Sequence, residues 1–219
     1  MEDERVTKNP LSVNHEISME NTVEKVNQTL YRAIIGSLIY LTASRPDIMF
    51  VMCLCTRYQA HPNVNHILAA KKIMRYLKGT PSLGLWYPQK DGFELTAYSD
   101  SDYGGCKRDF KSTSGGYQFL GSRLVSWQCK KQTAAAQSTC EAEYITAASC
   151  TSQVVWIQQQ MRDYDLHIYN TPIYVDNTAA IVAFDRPRFL FLLHVLGVKD
   201  MAEVVSDMAE VVSDKELLK

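Results

Sequence analysis

Leu95-Thr-Ala-Tyr-Ser-Asp100-Ser-Asp102, with what answers it downstream, decides the fold. From Phe93 to Asp100 the side chains alternate. Phe93, Leu95 and Ala97 fall on one side and Glu94, Thr96 and Tyr98 on the other, which predicts a half-buried strand that runs into an aspartate. Pro172-Ile-Tyr-Val-Asp176-Asn177 has the same design, with Tyr174 placed before Asp176 as Tyr98 is before Asp100. Side chains alternate along a strand, so each aspartate shares a face with its tyrosine. If the two strands are parallel neighbours, both carboxylates emerge at the C-terminal edge of the sheet, where α/β proteins form ligand sites.

Ser138-Thr-Cys-Glu141-Ala-Glu143-Tyr-Ile-Thr-Ala-Ala148 lies between them and opens a helix predicted over 139–164. Spacing separates its two glutamates. Ser138-Thr-Cys-Glu141 fits a capping box, in which Glu141 bonds back to the cap backbone. Glu143 instead lines up with Ala147, Cys150, Val154 and Ile157 on the buried stripe. A carboxylate that faces a core is costly unless it is paired or binds a metal. Glu143 is therefore the candidate ligand and Glu141 the structural residue. Two strand-end carboxylates and one helix carboxylate can share a pair of divalent cations. On spacing alone, surface strand ends and an ordinary helix charge fit the same residues as well.

Working outward, Gly115–Leu120 and Leu124–Gln128 read as a hairpin across Gly121-Ser-Arg123. A strand over 173–176 and a helix over 178–184 follow the long helix. This order predicts an α/β sandwich with a mixed sheet. Upstream, residues 1–29 are polar and form a lead-in. Ile34, Ile35, Leu38, Ile39 and Leu41 make one helical stripe, and Ser44-Arg-Pro46-Asp47 restarts a helix with Pro46 in its first turn. A third helix is predicted over 65–78, with Gly79 at its C-terminal cap and Ile67, Ala70, Met74 and Leu77 as its buried stripe. Its Lys71, Lys72, Arg75 and Lys78 suit either a solvated face or a phosphate backbone. At the other end, Asp200-Met-Ala-Glu-Val-Val-Ser206 recurs at once as Asp207-Met-Ala-Glu-Val-Val-Ser213, too few copies for a solenoid.

The 219 residues carry a net charge of −1, so no bulk positive field advertises a polyanion partner and any phosphate contact must come from a local patch. Cys53, Cys55, Cys106, Cys129, Cys140 and Cys150 include no C-x-x-C pair, which argues against a zinc ribbon and for reduced, mostly buried thiols. The polar start is no signal peptide, and the longest apolar runs are too short to span a bilayer. An intracellular protein, cytoplasmic or nuclear and without a membrane partner, is expected.

Several segments together carry a resemblance. Tyr98-Ser-Asp-Ser-Asp102, Phe110-Lys-Ser-Thr-Ser-Gly-Gly-Tyr117, Val125-Ser-Trp-Gln-Cys-Lys-Lys-Gln132, Ser138-Thr-Cys-Glu-Ala-Glu-Tyr144 and Ile173-Tyr-Val-Asp-Asn177 closely resemble the ribonuclease H domain of copia-type LTR retrotransposon Pol polyproteins. Tyr31-Arg-Ala-Ile-Ile-Gly-Ser-Leu-Ile-Tyr-Leu41, Ser44-Arg-Pro-Asp47 and Arg75-Tyr-Leu-Lys-Gly-Thr80 are similar to the segment after the palm of the same element's reverse transcriptase. The resemblance runs over 30–183. It implies an α/β ribonuclease H-like fold, a five-stranded mixed sheet flanked by helices and preceded by a small helical unit. The corresponding division is a lead-in over 1–29, a helical segment over 30–88, a C-terminally truncated ribonuclease H-like domain over 93–184 and a divergent tail over 185–219.

The resemblance further implies that Asp100, Glu143 and Asp176 are catalytic and ligate two Mg²⁺ or Mn²⁺ ions. The substrate would be the RNA strand of an RNA–DNA hybrid, and the rest of the Pol polyprotein would be a partner. Lys107, Arg108, Lys111, Ser112 and Thr113, in the loop after Asp100, become candidate nucleic-acid contacts. Two departures matter. No Y-x-D-D motif is present, so DNA polymerisation is not expected. The match also dissolves after Phe184, where a His- and Arg-rich segment would supply a fourth ligand; Asp185, His194 and Asp200 have no spacing argument for that role. The expectations are thus a metal-dependent hydrolase or a catalytically dead remnant that at most binds nucleic acid.

Overall fold

A computed structural model describes residues 5–11, 26–106 and 108–176. The chain divides into two compact units, Met1–Trp86 and Tyr87–Lys219. The helix predicted over 178–184 and the candidates Asp185, His194 and Asp200 lie outside the described residues.

The first unit is helical. Asn27 caps α1 (Gln28–Leu41) by accepting a hydrogen bond from the Leu30 amide at 3.1 Å. A 3₁₀ turn with Pro46 at its start, Pro46–Ile48, leads into α2 (Met49–Thr56). Then α3 (Val64–Gly79) begins with a reciprocal cap in which His66 takes the place of the usual glutamate. Asn63 Oδ1 accepts from the His66 amide at 3.2 Å, and His66 Nδ1 accepts from the Asn63 amide at 2.9 Å. Tyr31, Ile35, Ile48, Met52, Cys55, Ala70 and Ile73 fill the core.

Two expected stripes are rotated. In α1 the core line is Tyr31, Ile35 and Leu38, while Ile39 and Leu41 are exposed. In α3 it is His66, Ala70, Ile73 and Tyr76, and Ile67, Met74 and Leu77 only flank the core. The physical reason is that polar-tipped rings can be buried once their polar atoms are bonded. Tyr31 OH donates to Cys55 O at 2.9 Å, and Tyr76 OH donates to Asp47 Oδ2 at 2.6 Å. Gly79 is the last helical residue and Thr80 the cap.

The second unit is a mixed sheet with a long helix on one face. Its strands are β1 (Leu95–Asp102), β2 (Thr113–Leu120), β3 (Arg123–Lys131) and β4 (Ile173–Val175), in the order β3-β2-β1-β4. The β1–β2 and β2–β3 pairs are antiparallel, and β1–β4 is parallel. Five strands were expected; the described residues form four. The hairpin turns at Gly121, whose φ of 61° suits glycine and whose Cβ, if present, would collide with Gly92 O.

Ser138 caps α4 (Thr139–Arg162) by accepting from the Glu141 amide at 3.1 Å. Glu141 Oε2 reaches back to the Gln137 amide at 2.6 Å, one residue before the cap rather than at it. Cys150, Val154 and Ile157 of α4 pack on Leu95 and Ala97 of β1 and Leu120 of β2. Burying such side chains contributes roughly 1.5–3 kcal/mol each. Near the far end, Gln158 Nε2 donates to Thr171 Oγ1 at 3.1 Å and so ties α4 to the entry of β4. Among the described residues no helix is long and apolar enough to cross a membrane.

Candidate metal centre

Along β1 the even-numbered Tyr98 and Asp100 are exposed, while Leu95, Ala97 and Ser99 are buried on the face that α4 covers. The parallel register pairs Tyr98 with Tyr174 and Ser99 with Val175, so its next step sets Asp100 beside Asp176. The paired tyrosines stack, with ring centroids 5.0 Å apart and planes 23° from parallel. On β2, the partner of Asp100 is Gly115, whose missing side chain leaves the ground beside the carboxylate clear.

Glu143 arrives from the other side of the sheet, one turn into α4, and is only 5% exposed. Ser101 holds one of its oxygens: the Ser101 amide donates to Oε1 at 3.0 Å and the Ser101 hydroxyl donates to Oε1 at 2.7 Å. The second oxygen, Oε2, is buried with no hydrogen-bond partner. Asp100, Glu143 and Asp176 each bring a carboxylate oxygen within 4.8 Å of the others. Burial pushes the Glu143 carboxyl up from the usual carboxylate range; the Ser101 hydrogen bonds oppose this, and the charges of Asp176 and Asp100 add to it.

This arrangement fits a hard divalent cation. An unpartnered buried carboxylate oxygen costs about 1–3 kcal/mol or more unless something satisfies it. Two further carboxylates close by make the local potential negative, and a cation converts that repulsion into attraction. Three carboxylates with no thiol or imidazole among them are a donor set suited to a hard cation.

The candidate nucleic-acid contacts divide. Arg108 is exposed. Lys111 is half-buried, and its Nζ donates to Thr133 O at 2.6 Å. Ser112 and Thr113 are buried, at 0% and 2% exposure, and Ser112 Oγ accepts from the Gly104 amide at 3.1 Å. Short hydroxyl side chains in a loop bond the backbone as readily as a ligand, which the sequence does not distinguish. Lys107 lies outside the described residues. Ser101 is a residue that sequence reasoning missed, although the alternation that exposes Asp100 puts Ser101 on the helix side, where Glu143 needs a donor.

The chain is 35% identical over 181 residues, 82% of its length, to the Retrovirus-related Pol polyprotein from transposon RE1 of Arabidopsis thaliana, and it spans 12% of that protein. It is 34% identical over 152 residues, 69% of its length, to the Retrovirus-related Pol polyprotein from transposon TNT 1-94 of Nicotiana tabacum, and it spans 11% of it. It is also 32% identical over 133 residues to the Secreted RxLR effector protein 161 of Plasmopara viticola, covering 60% of this chain and 94% of that one. No family model and no solved structure matches. The chain belongs to the Pol polyproteins of copia-type retrotransposons and corresponds to about an eighth of their length.

Proposed function

We propose that the second unit is a ribonuclease H-like domain that hydrolyses the RNA strand of an RNA–DNA hybrid with two Mg²⁺ or Mn²⁺ ions. The observation that carries the proposal is the meeting of Asp100, Glu143 and Asp176 from two parallel strand ends and a helix, with Glu143 Oε2 buried and unpartnered. The cations would activate a water and stabilise the leaving 3′-oxygen.

The chain's own residues divide the remaining work. Ser101 fixes Glu143 Oε1, so Glu143 offers Oε2 in one orientation. Asp100 and Asp176 are both exposed, so a phosphate backbone would reach the centre from their side. The stacked Tyr98 and Tyr174 hold the two strand ends in register. Arg108 is an exposed cation in the following loop and is suited to a neighbouring phosphate. Choice of the RNA strand would come from contacts to its 2′-hydroxyls. The polymerase turn is absent from the sequence, so the proposal includes no DNA synthesis.

The test is cleavage of a strand-labelled RNA–DNA hybrid with Mg²⁺ and with Mn²⁺, with Asp100→Asn/Asp176→Asn as control. The expected result is metal-dependent cutting of the RNA strand alone, reduced by at least about 100-fold in the control. No cutting by a folded chain that still binds the hybrid would replace the hydrolase with a non-catalytic nucleic-acid-binding remnant.

A further inference from the structure

We infer that Gln132 is a positioning residue for this centre: through Ser114 and Thr146 it locks the first turns of α4 to the sheet, so that Glu143 meets Ser101 with a single oxygen left over. The inference rests on reading the three acids as a cation site. Gln132 directly follows β3 and is 6% exposed. Its Nε2 lies 3.1 Å from Ser114 Oγ, 3.0 Å from Ala142 O and 3.3 Å from Thr146 Oγ1. Ser114 Oγ and Thr146 Oγ1 are themselves 2.7 Å apart, and Thr146 Oγ1 donates to Ala142 O at 2.9 Å. The Gln132 amide donates to Ser112 O at 2.9 Å and anchors the residue's backbone.

The network closes on the acid. Ala142 and Thr146 flank Glu143 on α4, and Ser114 is the cross-strand partner of Ser101, which holds Glu143 Oε1. The path therefore runs from α4 through Gln132 to β2, across one rung to β1, and back to α4 through Glu143. The orientation of the amide follows from its partners. Of the two ends of the Gln132 side-chain amide only the NH2 can donate to Ala142 O, so Nε2 faces the helix and Oε1 is left buried without a partner.

Such a polar ring is not needed merely to dock the helix. Farther along, α4 docks mainly through apolar packing of Cys150, Val154 and Ile157. Polar contacts to β2 and β3 there are single and long, Gln118 Nε2 to Cys150 Sγ and Gln128 Nε2 to Ser149 Oγ, each at 3.4 Å. The connected set lies where Glu143 is, with Gln132, Ser114, Thr146 and Glu143 all at least nine-tenths buried. Hydrogen bonds fix direction and register in a way that apolar contact does not, and groups that orient a ligand typically change metal affinity 10–100-fold when removed.

The experiment measures Mn²⁺ affinity by calorimetry, alongside melting temperature, on the full chain. Gln132→Leu keeps the bulk and removes the amide; Thr146→Val keeps the shape and removes the hydroxyl. The expected result is Mn²⁺ binding weakened about 10-fold or more in both, with melting within a few degrees of the parent. Val154→Ala, in the apolar half of α4, should do the reverse: lower melting with unchanged Mn²⁺ affinity below the transition. Parent-like affinity in Thr146→Val and in folded Gln132→Leu would overturn the inference. The Asp100→Asn/Asp176→Asn control separates the two claims, because undiminished Mn²⁺ binding there overturns the cation site itself.

Discussion

Asp47, at the surface of the helical unit, and Glu143, buried in the sheet unit, are acids that their surroundings treat in opposite ways. Asp47 receives Arg45 Nε on Oδ1 at 2.9 Å, Arg45 Nη2 on Oδ2 at 2.8 Å and the Tyr76 hydroxyl on Oδ2 at 2.6 Å. The Arg45 guanidinium holds its carboxyl below the usual carboxylate range. Arg45 in turn reaches Thr80 O and Thr80 Oγ1, so the corner that starts the second helix is tied to the end of the third. Glu143 is pushed the other way, first by burial and then by Asp176 and Asp100. A structural acid has its cation in the chain. An acid gathered with other acids, with one oxygen left bare, is arranged for a cation the chain does not supply.

The comparison can be broken from either side. The largest expected effect lies in the helical unit, where titration should act on stability alone. His66 is fully buried, stacks on Tyr58 at 4.0 Å and is held by burial at about 4 instead of 6.5. Between those values the unfolded chain binds a proton that the folded one does not, so stability falls as pH falls through this window. The loss approaches about 3 kcal/mol, at about 1.4 kcal/mol per pH unit. Hydrogen exchange of the α3 amides at pH 7 and pH 4.5 should show it, and His66→Gln should flatten it.

Asp47→Ala comes next. It removes three hydrogen bonds and leaves Arg45 unmatched, and the expected cost is about 1–2 kcal/mol with no effect on divalent-cation binding. Because the folded carboxyl titrates below its ordinary 3.8, the contribution is present above that value and is lost as pH falls through the lower, folded one. Urea melts at pH 7 and pH 3 measure both parts. A metal response altered by this variant would blur the distinction between the two acids.

Much of this was legible in the sequence, and what was not has physical causes. The alternation around Leu95, the repeat of its design before Asp176 and the spacing that separates Glu143 from Glu141 were enough to bring three acids together. The expected α3 stripe differs from the observed one because it was drawn from aliphatic residues alone, while here His66 Nδ1 bonds the Asn63 amide and Tyr76 OH bonds Asp47, which lets both rings turn inward. The burial of Ser112 and Thr113 was not legible, because a hydroxyl in a loop carries no mark of which way it turns. Gln132 was invisible for a related reason. Its partners come from β2 and α4, and nothing in the local pattern says that a glutamine after a strand will be buried against both.

The smallest expected effect gives the most direct test: thermal melting of the parent and of Glu143→Gln, each with and without Mn²⁺. Without metal the account predicts that the variant melts higher, by about 1 kcal/mol or a few degrees at pH 7, because it removes a buried charge repelled by two others. Since the folded Glu143 carboxyl titrates above its ordinary 4.5, it binds its proton in the folded chain first, and the difference should shrink as pH falls to that value. With Mn²⁺ at about 100 times its dissociation constant the parent should gain about 2.7 kcal/mol and overtake the variant. A parent that melts higher in both conditions, or that gains nothing from Mn²⁺, would contradict the claim that these three acids form a cation site.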